Sequence, residues 1–193
     1  MSEKGRRIRS ERRPTIRAAL PTDVDAIAAI YNEAVRTTTA TFDTEPRSVE
    51  EQSSWLAHHD SRHPVLVAQV GREVVGWACL SPWSERRAYA ATTEISVYVA
   101  SEWRGRGIGR YLVAEIRARA TALGIHTILA RIAEGNPVSR QLHLSAGFTT
   151  VGVMREVGFK FGRLIDVELM QLTLPKNSVK RERPRGAAPR PAR

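Results

Sequence analysis

The chain lacks the features that mark secreted, membrane-spanning or metal-cluster proteins. Its 193 residues include a single cysteine, Cys79, so neither an intrachain disulfide nor a cysteine metal cluster can form. No apolar run approaches the length of a membrane span. The first ten residues are charged and lack the apolar segment of a secretory signal. We therefore expect a protein of a reducing, cytoplasmic setting that has no membrane partner.

Acidic residues are too few to balance the basic ones, but the imbalance is confined to the two ends of the chain. The formal net charge is +10. Residues 1–14 carry a net charge of +4 and residues 175–193 a net charge of +6, so residues 15–174 are balanced. The sequence predicts a basic disordered N-terminal extension (1–14), one folded domain (15–174) and a basic Pro/Arg-rich disordered tail (175–193). We interpret these ends as solubilising and expect no specific nucleic acid; weak contact with polyanions is the alternative.

Strand and helix patterns alternate along residues 15–174. Thr22 and Ser48 are each followed three residues later by an acidic side chain, so both are predicted to cap helices through a capping box. An amphipathic helix follows Gly109 and ends at Gly124, a residue suited to the C′ position. Extended patterns predict strands at 14–19, 65–70, 74–80, 94–99, 126–132, 149–153 and 164–174. This order indicates an α/β domain with a mixed sheet.

A glycine-rich turn, Arg104-Gly-Arg-Gly-Ile-Gly-Arg110, precedes the amphipathic helix. The first N–H groups of a helix lack intrahelical partners and, with the positive end of the helix dipole, form an anion site. Glycine lets a phosphate approach the backbone, and arginines pair with its oxygens. Arg110 occupies the third-glycine position of a Rossmann fingerprint, and no Gly-Lys-Ser/Thr follows, so neither dinucleotide nor P-loop binding fits. A plain turn with solvated arginines is the alternative.

Two segments resemble the coenzyme-binding motifs of the GNAT superfamily of N-acetyltransferases. Arg104-x-x-Gly107-x-Gly109 resembles the coenzyme A pyrophosphate loop, and the segment Asn136-Pro-Val-Ser139 resembles the part that contacts pantetheine. The resemblance implies a GNAT fold: a central mixed, mostly antiparallel sheet flanked by helices, with splayed strands that hold acetyl-CoA. It implies coenzyme contacts from Val97, Tyr98, Val99, Arg104, Gly105, Arg106, Gly107, Ile108, Gly109, Arg110, Asn136 and Ser139.

Within the superfamily, the chain most resembles the phosphinothricin N-acetyltransferases over residues 16–172. Four segments carry this resemblance, at 41–46, 82–99, 136–143 and 155–171, and the second and fourth are its most specific parts. His143 stands where most GNAT enzymes have Tyr. The resemblance implies acetylation of the amino group of a small amino-acid-like substrate, such as phosphinothricin or methionine sulfoximine. It also implies a homodimer and herbicide resistance; resistance that is incidental to a broader amino-acid activity is the alternative.

The reaction needs a base, because an amino-acid ammonium must lose a proton before it attacks a thioester. The resemblance assigns this role to Glu94, acting through water; a salt-bridged strand residue is the alternative. His143 is a candidate acid for the leaving thiolate or a ligand of the pantetheine, and a purely structural histidine is equally open. Backbone N–H groups of the strand 97–99 would bind the thioester oxygen.

An anionic substrate also needs cationic and hydroxyl partners. The predicted substrate-binding residues are Arg86, Arg87, Tyr89, Thr92 and Lys160. A covalent acetyl-cysteine at Cys79 is disfavoured, because its strand is apolar and places no basic residue nearby. His58, His59 and His63 lack an accompanying acidic set, so we interpret them as surface residues and predict no metal.

Two other functions stay open at this stage. The chain could acetylate other small amines or protein N-termini, or it could be a non-enzymatic coenzyme A or nucleic-acid binding protein that uses its basic ends.

Overall fold

A computed structural model describes residues 13–175 of the chain. Seven strands and four helices of one turn or more follow each other along this part. The strands are β1 (Thr15–Ala18), β2 (Val65–Val70), β3 (Glu73–Pro82), β4 (Thr92–Val99), β5 (Thr127–Ala133), β6 (Thr149–Lys160) and β7 (Arg163–Thr173). The α-helices are α1 (Val24–Thr37), α2 (Val49–Ala57), α3 (Ile108–Ala122) and α4 (Pro137–Ser145), with short 3₁₀ turns at Pro21–Asp23, Arg87–Tyr89 and Ser101–Trp103.

The seven strands form one sheet in the order β1-β2-β3-β4-β5-β7-β6. Among the described strands, the neighbouring pairs are antiparallel except β4 and β5, which run parallel. The β4–β5 pairing covers only Thr92–Glu94 and Thr127–Leu129. Beyond it, β4 remains paired with β3 and β5 with β7. The two central strands therefore diverge, and the predicted mixed, mostly antiparallel sheet with splayed strands is confirmed.

Alternating side chains of β3 show which helix covers which face of the sheet. A Cβ added at Gly76 would meet Ile108 and Leu112 of α3, so α3 lies against that face. The next residue, Trp77, points the other way and contacts the rings of Tyr31 on α1 and Trp55 on α2. The domain thus has three layers, with the sheet between α3 and the α1–α2 pair.

The helix ends follow the predicted local chemistry in two places and depart from it in one. Ser48 and Glu51 form the predicted capping box of α2, and Gly124 follows α3 with a φ of +71°. The predicted Thr22 cap is wrong, because α1 begins at Val24 after a 3₁₀ turn. Asp23 instead accepts the backbone N–H of Leu20, the bond of an N3 side chain to the N-cap residue of the preceding 3₁₀ turn.

Two sequence predictions concern parts of the chain at its ends. The N-terminal extension and the basic tail lie outside the described residues, apart from 13–14 and 175. Within residues 13–175, no helix is both long enough and apolar enough to cross a membrane.

Candidate active site

A cavity of about 570 Å³, called the main cavity below, lies where β4 and β5 separate. Its walls are the two strands, the segment 39–43 that follows α1, helix α4 and part of β6. Of the residues predicted to contribute, the cavity is lined by Glu94, Val97, Tyr98, Asn136, Ser139 and His143. Five segments distant in the sequence therefore converge on one space.

Glu94 and Arg131 form a bidentate ion pair in the wall of this cavity. Arg131 Nε and Nη2 donate to the two carboxylate oxygens of Glu94 at 2.6 and 2.7 Å. Glu94 lies at the last paired position of β4, opposite Leu129, and Arg131 follows two residues later on β5. The Glu94 side chain is 16% exposed and that of Arg131 is 55% exposed. The hydrogen bonds from the guanidinium to Glu94 raise the pKa of Arg131, and the two parallel bonds hold the Glu94 carboxylate in one orientation.

His143 lies on α4 and is only 3% exposed. Its Nδ1 is 2.8 Å from the carbonyl oxygen of Ser139. Because a carbonyl only accepts, we assign the ring proton to Nδ1. Nε2 is then an acceptor, and it is buried without a hydrogen-bond partner among the described residues. Burial lowers the pKa of His143, so the neutral imidazole is the prevailing form at neutral pH.

Asn136 caps the helix that carries His143. Its side-chain oxygen accepts the backbone N–H of Ser139 at 3.2 Å. Pro137 occupies the first helical position, where a missing N–H costs nothing. This local geometry fixes the start of α4 beside the main cavity.

A polar cluster closes the cavity on the side of α1. Tyr31 Oη donates to Asp43 Oδ2 at 2.7 Å and lies 2.8 Å from Thr41 Oγ1. Arg47 donates to the same Asp43 oxygen through Nη2 at 2.8 Å. Burial raises the pKa of Tyr31 to about 12, and burial likewise raises the pKa of Tyr98, whose ring meets that of Tyr31 edge-on at 5.2 Å. Both phenols therefore keep their protons at neutral pH.

The glycine-rich turn adopts the geometry that its composition predicts. Gly105 and Gly107 have φ angles of +75° and +79°, and α3 begins directly after Gly107. Residues with a Cβ rarely adopt these angles. Ile108 is buried against the sheet, so the first turn of α3 is anchored at the far end of β4 from Glu94.

The arginines of the turn differ in their surroundings. Arg104 donates to the carbonyl of Val99 and pairs with Glu33 at 3.0 Å. Arg106 stacks on the Trp103 ring at 4.8 Å. Arg110 is exposed on the first turn of α3. A Cβ on Gly109 would come within 3.0 Å of Leu142, so this glycine permits α3 to approach α4.

All five predicted substrate-binding residues lie outside the lining of the main cavity, and four of them belong to the loop before β4 or to the first position of β4. Arg86, Arg87 and Tyr89 are exposed and belong to the loop before β4, and Thr92 is half-buried at its first position. The structure does not bring these side chains into the wall that Glu94 and Arg131 share. Their role in substrate binding stays a prediction.

Lys160 is buried and connects two segments. Its Nζ donates to the carbonyl oxygen of Thr41 at 2.8 Å and lies 5.1 Å from the centre of the Phe161 ring. Burial lowers the pKa of this ammonium, an effect that Asp43 opposes. Lys160 thus ties the end of β6 to the segment 39–43, and its predicted contact with substrate stays untested.

Sequence reasoning missed Arg131 and the polar cluster of Tyr31, Thr41 and Asp43. The resemblance marked the segment 41–46 without giving its residues a role. For Arg131 the sequence offered no local signal, because its partner is 37 positions away. Only the parallel register of β4 and β5 places the two side chains together.

Neither Cys79 nor a metal enters this site in the described part of the chain. Cys79 is 2% exposed on β3, and burial raises the pKa of its thiol to about 11. A thiol of this kind is a poor nucleophile at neutral pH. Residues 13–175 contain no group of three or more His, Cys, Asp or Glu side chains suited to a metal ion.

The three-layer domain has a split central sheet and a glycine-rich turn at a helix start, the arrangement that the GNAT resemblance implied. The acetyltransferase (GNAT) family model matches residues 27–148, and the chain belongs to this family. It is 40% identical, over 83% of its length and 94% of the relative's, to the L-methionine sulfoximine/L-methionine sulfone acetyltransferase of Pseudomonas paraeruginosa. It is also 40% identical to the phosphinothricin N-acetyltransferase of Streptomyces coelicolor, over 79% of this chain and 91% of that protein.

A solved structure agrees with these sequence matches. The phosphinothricin acetyltransferase of Sinorhizobium meliloti, in complex with acetyl-CoA, superposes with a TM-score of 0.81 at 35% identity. The match covers 86% of this chain and 91% of that one. The resemblance inferred from the sequence motifs, and the fold that it implied, are confirmed.

Proposed function

We propose that the protein transfers the acetyl group of acetyl-CoA to the α-amino group of a small amino-acid-like substrate, with phosphinothricin and methionine sulfoximine as test compounds. The observation that carries this proposal is the position of Glu94 at the fork of β4 and β5, with the first turn of α3 at the other end of β4. Strand β4 thus runs from the Glu94 carboxylate to the start of α3, where backbone N–H groups can bind an anion. The names of the relatives support the choice of substrate.

The residues present fit acetyl-CoA. Past Glu94, the edge of β4 that faces β5 has no strand partner in the described ladder, so it is open to an amide-bearing arm such as pantetheine. The glycines of the turn would let a pyrophosphate reach the N–H groups of α3. Arg106 and Arg110 lie beside this helix start, and Asn136 and Ser139 face the opposite side of the gap. When bound, acetyl-CoA supplies an activated acetyl thioester.

In the proposed mechanism, Glu94 removes a proton from the substrate ammonium through a water molecule. The amine then forms a bond to the acetyl carbon, the carbon–sulfur bond breaks, and the second amine proton ends on the sulfur. Backbone N–H groups of Val97–Val99 are proposed to hold the carbonyl oxygen as it gains charge. Direct transfer suits a chain whose only cysteine is buried.

His143 is proposed to act as an acceptor rather than as an acid. Its Nε2 carries no proton in the assigned tautomer, and His143 lines the cavity in surroundings whose burial lowers the pKa of the ring. A buried acceptor without a partner favours a ligand that donates, such as a pantetheine amide or the S–H of the product. Of the three roles left open by the sequence, the geometry favours the pantetheine ligand over the acid.

We further propose a homodimer formed through the β6–β7 hairpin. β6 is an edge strand, and the hairpin exposes several large apolar side chains: Val151, Val153, Val157, Phe159, Phe161 and Leu164. An apolar edge strand of 12 residues is a template for pairing with a second chain. Phe159→Glu should reduce the mass measured by light scattering from dimer to monomer, whereas Val49→Glu, on α2, should leave it unchanged.

The catalytic proposal is tested by following thiol release from acetyl-CoA with phosphinothricin, methionine sulfoximine, the standard amino acids and a basic peptide. Release with amino-acid substrates supports the proposal; release with the peptide alone would favour acetylation of protein N-termini. No release at all, with acetyl-CoA still bound in calorimetry, would favour a non-enzymatic binding protein. A cytoplasmic location and herbicide resistance are expectations that cell fractionation and growth on phosphinothricin would check.

Glu94→Gln isolates the base, because it keeps the shape of the side chain and removes the charge. We expect kcat to fall by about 10²- to 10⁴-fold, with acetyl-CoA affinity retained. The matched control is Glu115→Gln, which breaks an exposed Glu115–Arg119 pair on α3. Full turnover by Glu94→Gln would remove Glu94 from the mechanism.

A further inference from the structure

The main cavity contains one permanent cation. Among the described residues that line it, the carboxylates are Asp43 and Glu94, and Arg131 is the single arginine or lysine. The cationic residues expected to hold an anionic substrate lie elsewhere: Arg86 and Arg87 are on an exposed loop, and Lys160 is bonded to the carbonyl of Thr41. Within the lining of this cavity, a substrate anion can therefore pair with one guanidinium, that of Arg131.

Only one edge of that guanidinium is occupied. Nε and Nη2 of Arg131 bind Glu94, and Nη1 makes no hydrogen bond within the described part of the chain. A guanidinium is planar and offers a second bidentate edge, formed by Nη1 and Nη2, to another carboxylate. The side chain is 55% exposed, so a ligand in the cavity can reach this second edge.

We propose that Arg131 is the receptor for the α-carboxylate of the substrate and orients it against Glu94. An α-amino acid carries its amine and its carboxylate on the same carbon. A substrate carboxylate on the Nη1–Nη2 edge therefore places the substrate amine beside Glu94, whose carboxylate is held by the Nε–Nη2 edge. This inference rests on the proposed function and adds to it the residue that selects free α-amino acids over amines that lack an α-carboxylate.

A merely structural ion pair predicts a different outcome. If Arg131 only fixes Glu94, its removal impairs every acceptor amine to the same extent. If Arg131 also binds the α-carboxylate, its removal impairs amino acids more than their carboxylate-free analogues. The ratio of the two kcat/KM values separates the roles, because any damage to Glu94 is common to both substrates and cancels.

The experiment measures kcat/KM of wild type, Arg131→Gln and Arg131→Lys for methionine sulfoximine and for the analogue in which hydrogen replaces the carboxylate. We expect wild type to prefer the amino acid, and Arg131→Gln to reduce that preference by about 10- to 100-fold, mostly through KM. Arg131→Lys should lose less, because it keeps the charge without the planar fork. Arg119→Gln, which breaks a similarly exposed pair on α3, is the control and should keep the wild-type ratio.

An unchanged preference in Arg131→Gln, with thermal unfolding like that of wild type, would overturn the inference while leaving the proposed function intact. Absence of thiol release by wild type with every α-amino acid would instead overturn the proposed function itself. The two failures are thus distinguishable in the same assay.

Discussion

Gly158 on β6 is a position where one methyl group should disturb the wall of the main cavity. A Cβ built there would overlap three ring atoms of Phe42, a cavity-lining residue, all of them closer than 3.0 Å. Carbon atoms pack at roughly 3.5–4.0 Å, so in Gly158→Ala the ring must move by on the order of 1 Å or more. Because Phe42 is 37% exposed, its ring can turn towards solvent, and we expect a cost of about 1 kcal/mol, the lower end of the range for overpacking. In a domain of this size, that loss lowers the melting temperature by roughly 2–4 °C.

The assay combines thermal unfolding with the KM for the amino-acid substrate, which should rise because Phe42 is displaced. Gly152→Ala, on the same strand, is a matched control, since a Cβ there meets nothing within 4 Å. The double variant Phe42→Ala/Gly158→Ala removes the clashing ring, so adding the methyl to Phe42→Ala should cost close to nothing. Equal melting temperatures for Gly158→Ala and Gly152→Ala, with no coupling to Phe42, would refute the reasoning.

Three further predictions concern buried polar groups. The bidentate bond from Arg17 lowers the pKa of Asp23. The stability that this bond contributes is therefore present above the unfolded pKa of about 3.9 and lost as pH falls through the lower folded value. Chemical denaturation should show Asp23→Asn destabilised by about 1–3 kcal/mol at pH 7, and the difference from wild type should shrink as pH falls below about 3.9. Burial lowers the pKa of His143, so unfolding becomes easier as pH falls below about 6.5, where the unfolded chain takes up a proton that the native state resists, and His143→Gln should flatten that slope. Cys79→Ala should keep kcat within about twofold of wild type, because a thiol with a pKa of about 11 is protonated at neutral pH; a large loss would reopen an acetyl-cysteine route.

Features set by local chemistry were predictable from the sequence. The capping box at Ser48 and the glycines of the turn need only neighbours within one helical turn, and both are confirmed. The family motifs also located the splayed strands, since they mark the two sides of the gap. The capping box and the turn were predictable because their geometry depends on backbone groups and φ angles within one helical turn.

Features set by long-range register were not predictable. The role of Lys160 depends on a carbonyl 119 positions away at Thr41. The Thr22 cap failed because the chain forms a 3₁₀ turn at Pro21–Asp23, in which Asp23 accepts the Leu20 N–H and two hydrogen bonds from Arg17. A tertiary partner thus decides the role of Lys160, whereas at Thr22 one local pattern outweighs another.

The position of Glu94 follows from where the sheet stops being continuous. In a closed parallel pair, the residues after Glu94 and Leu129 would bond to each other across the ladder, and no ligand could enter. Here the ladder ends at that pair, and each strand continues with its outer neighbour. Glu94 is therefore the last residue held by both central strands and the first beside the open gap. Its backbone is held by two strands, and its carboxylate can reach a substrate in the gap. Arg131, two residues beyond the fork, is placed to orient both the Glu94 carboxylate and the substrate.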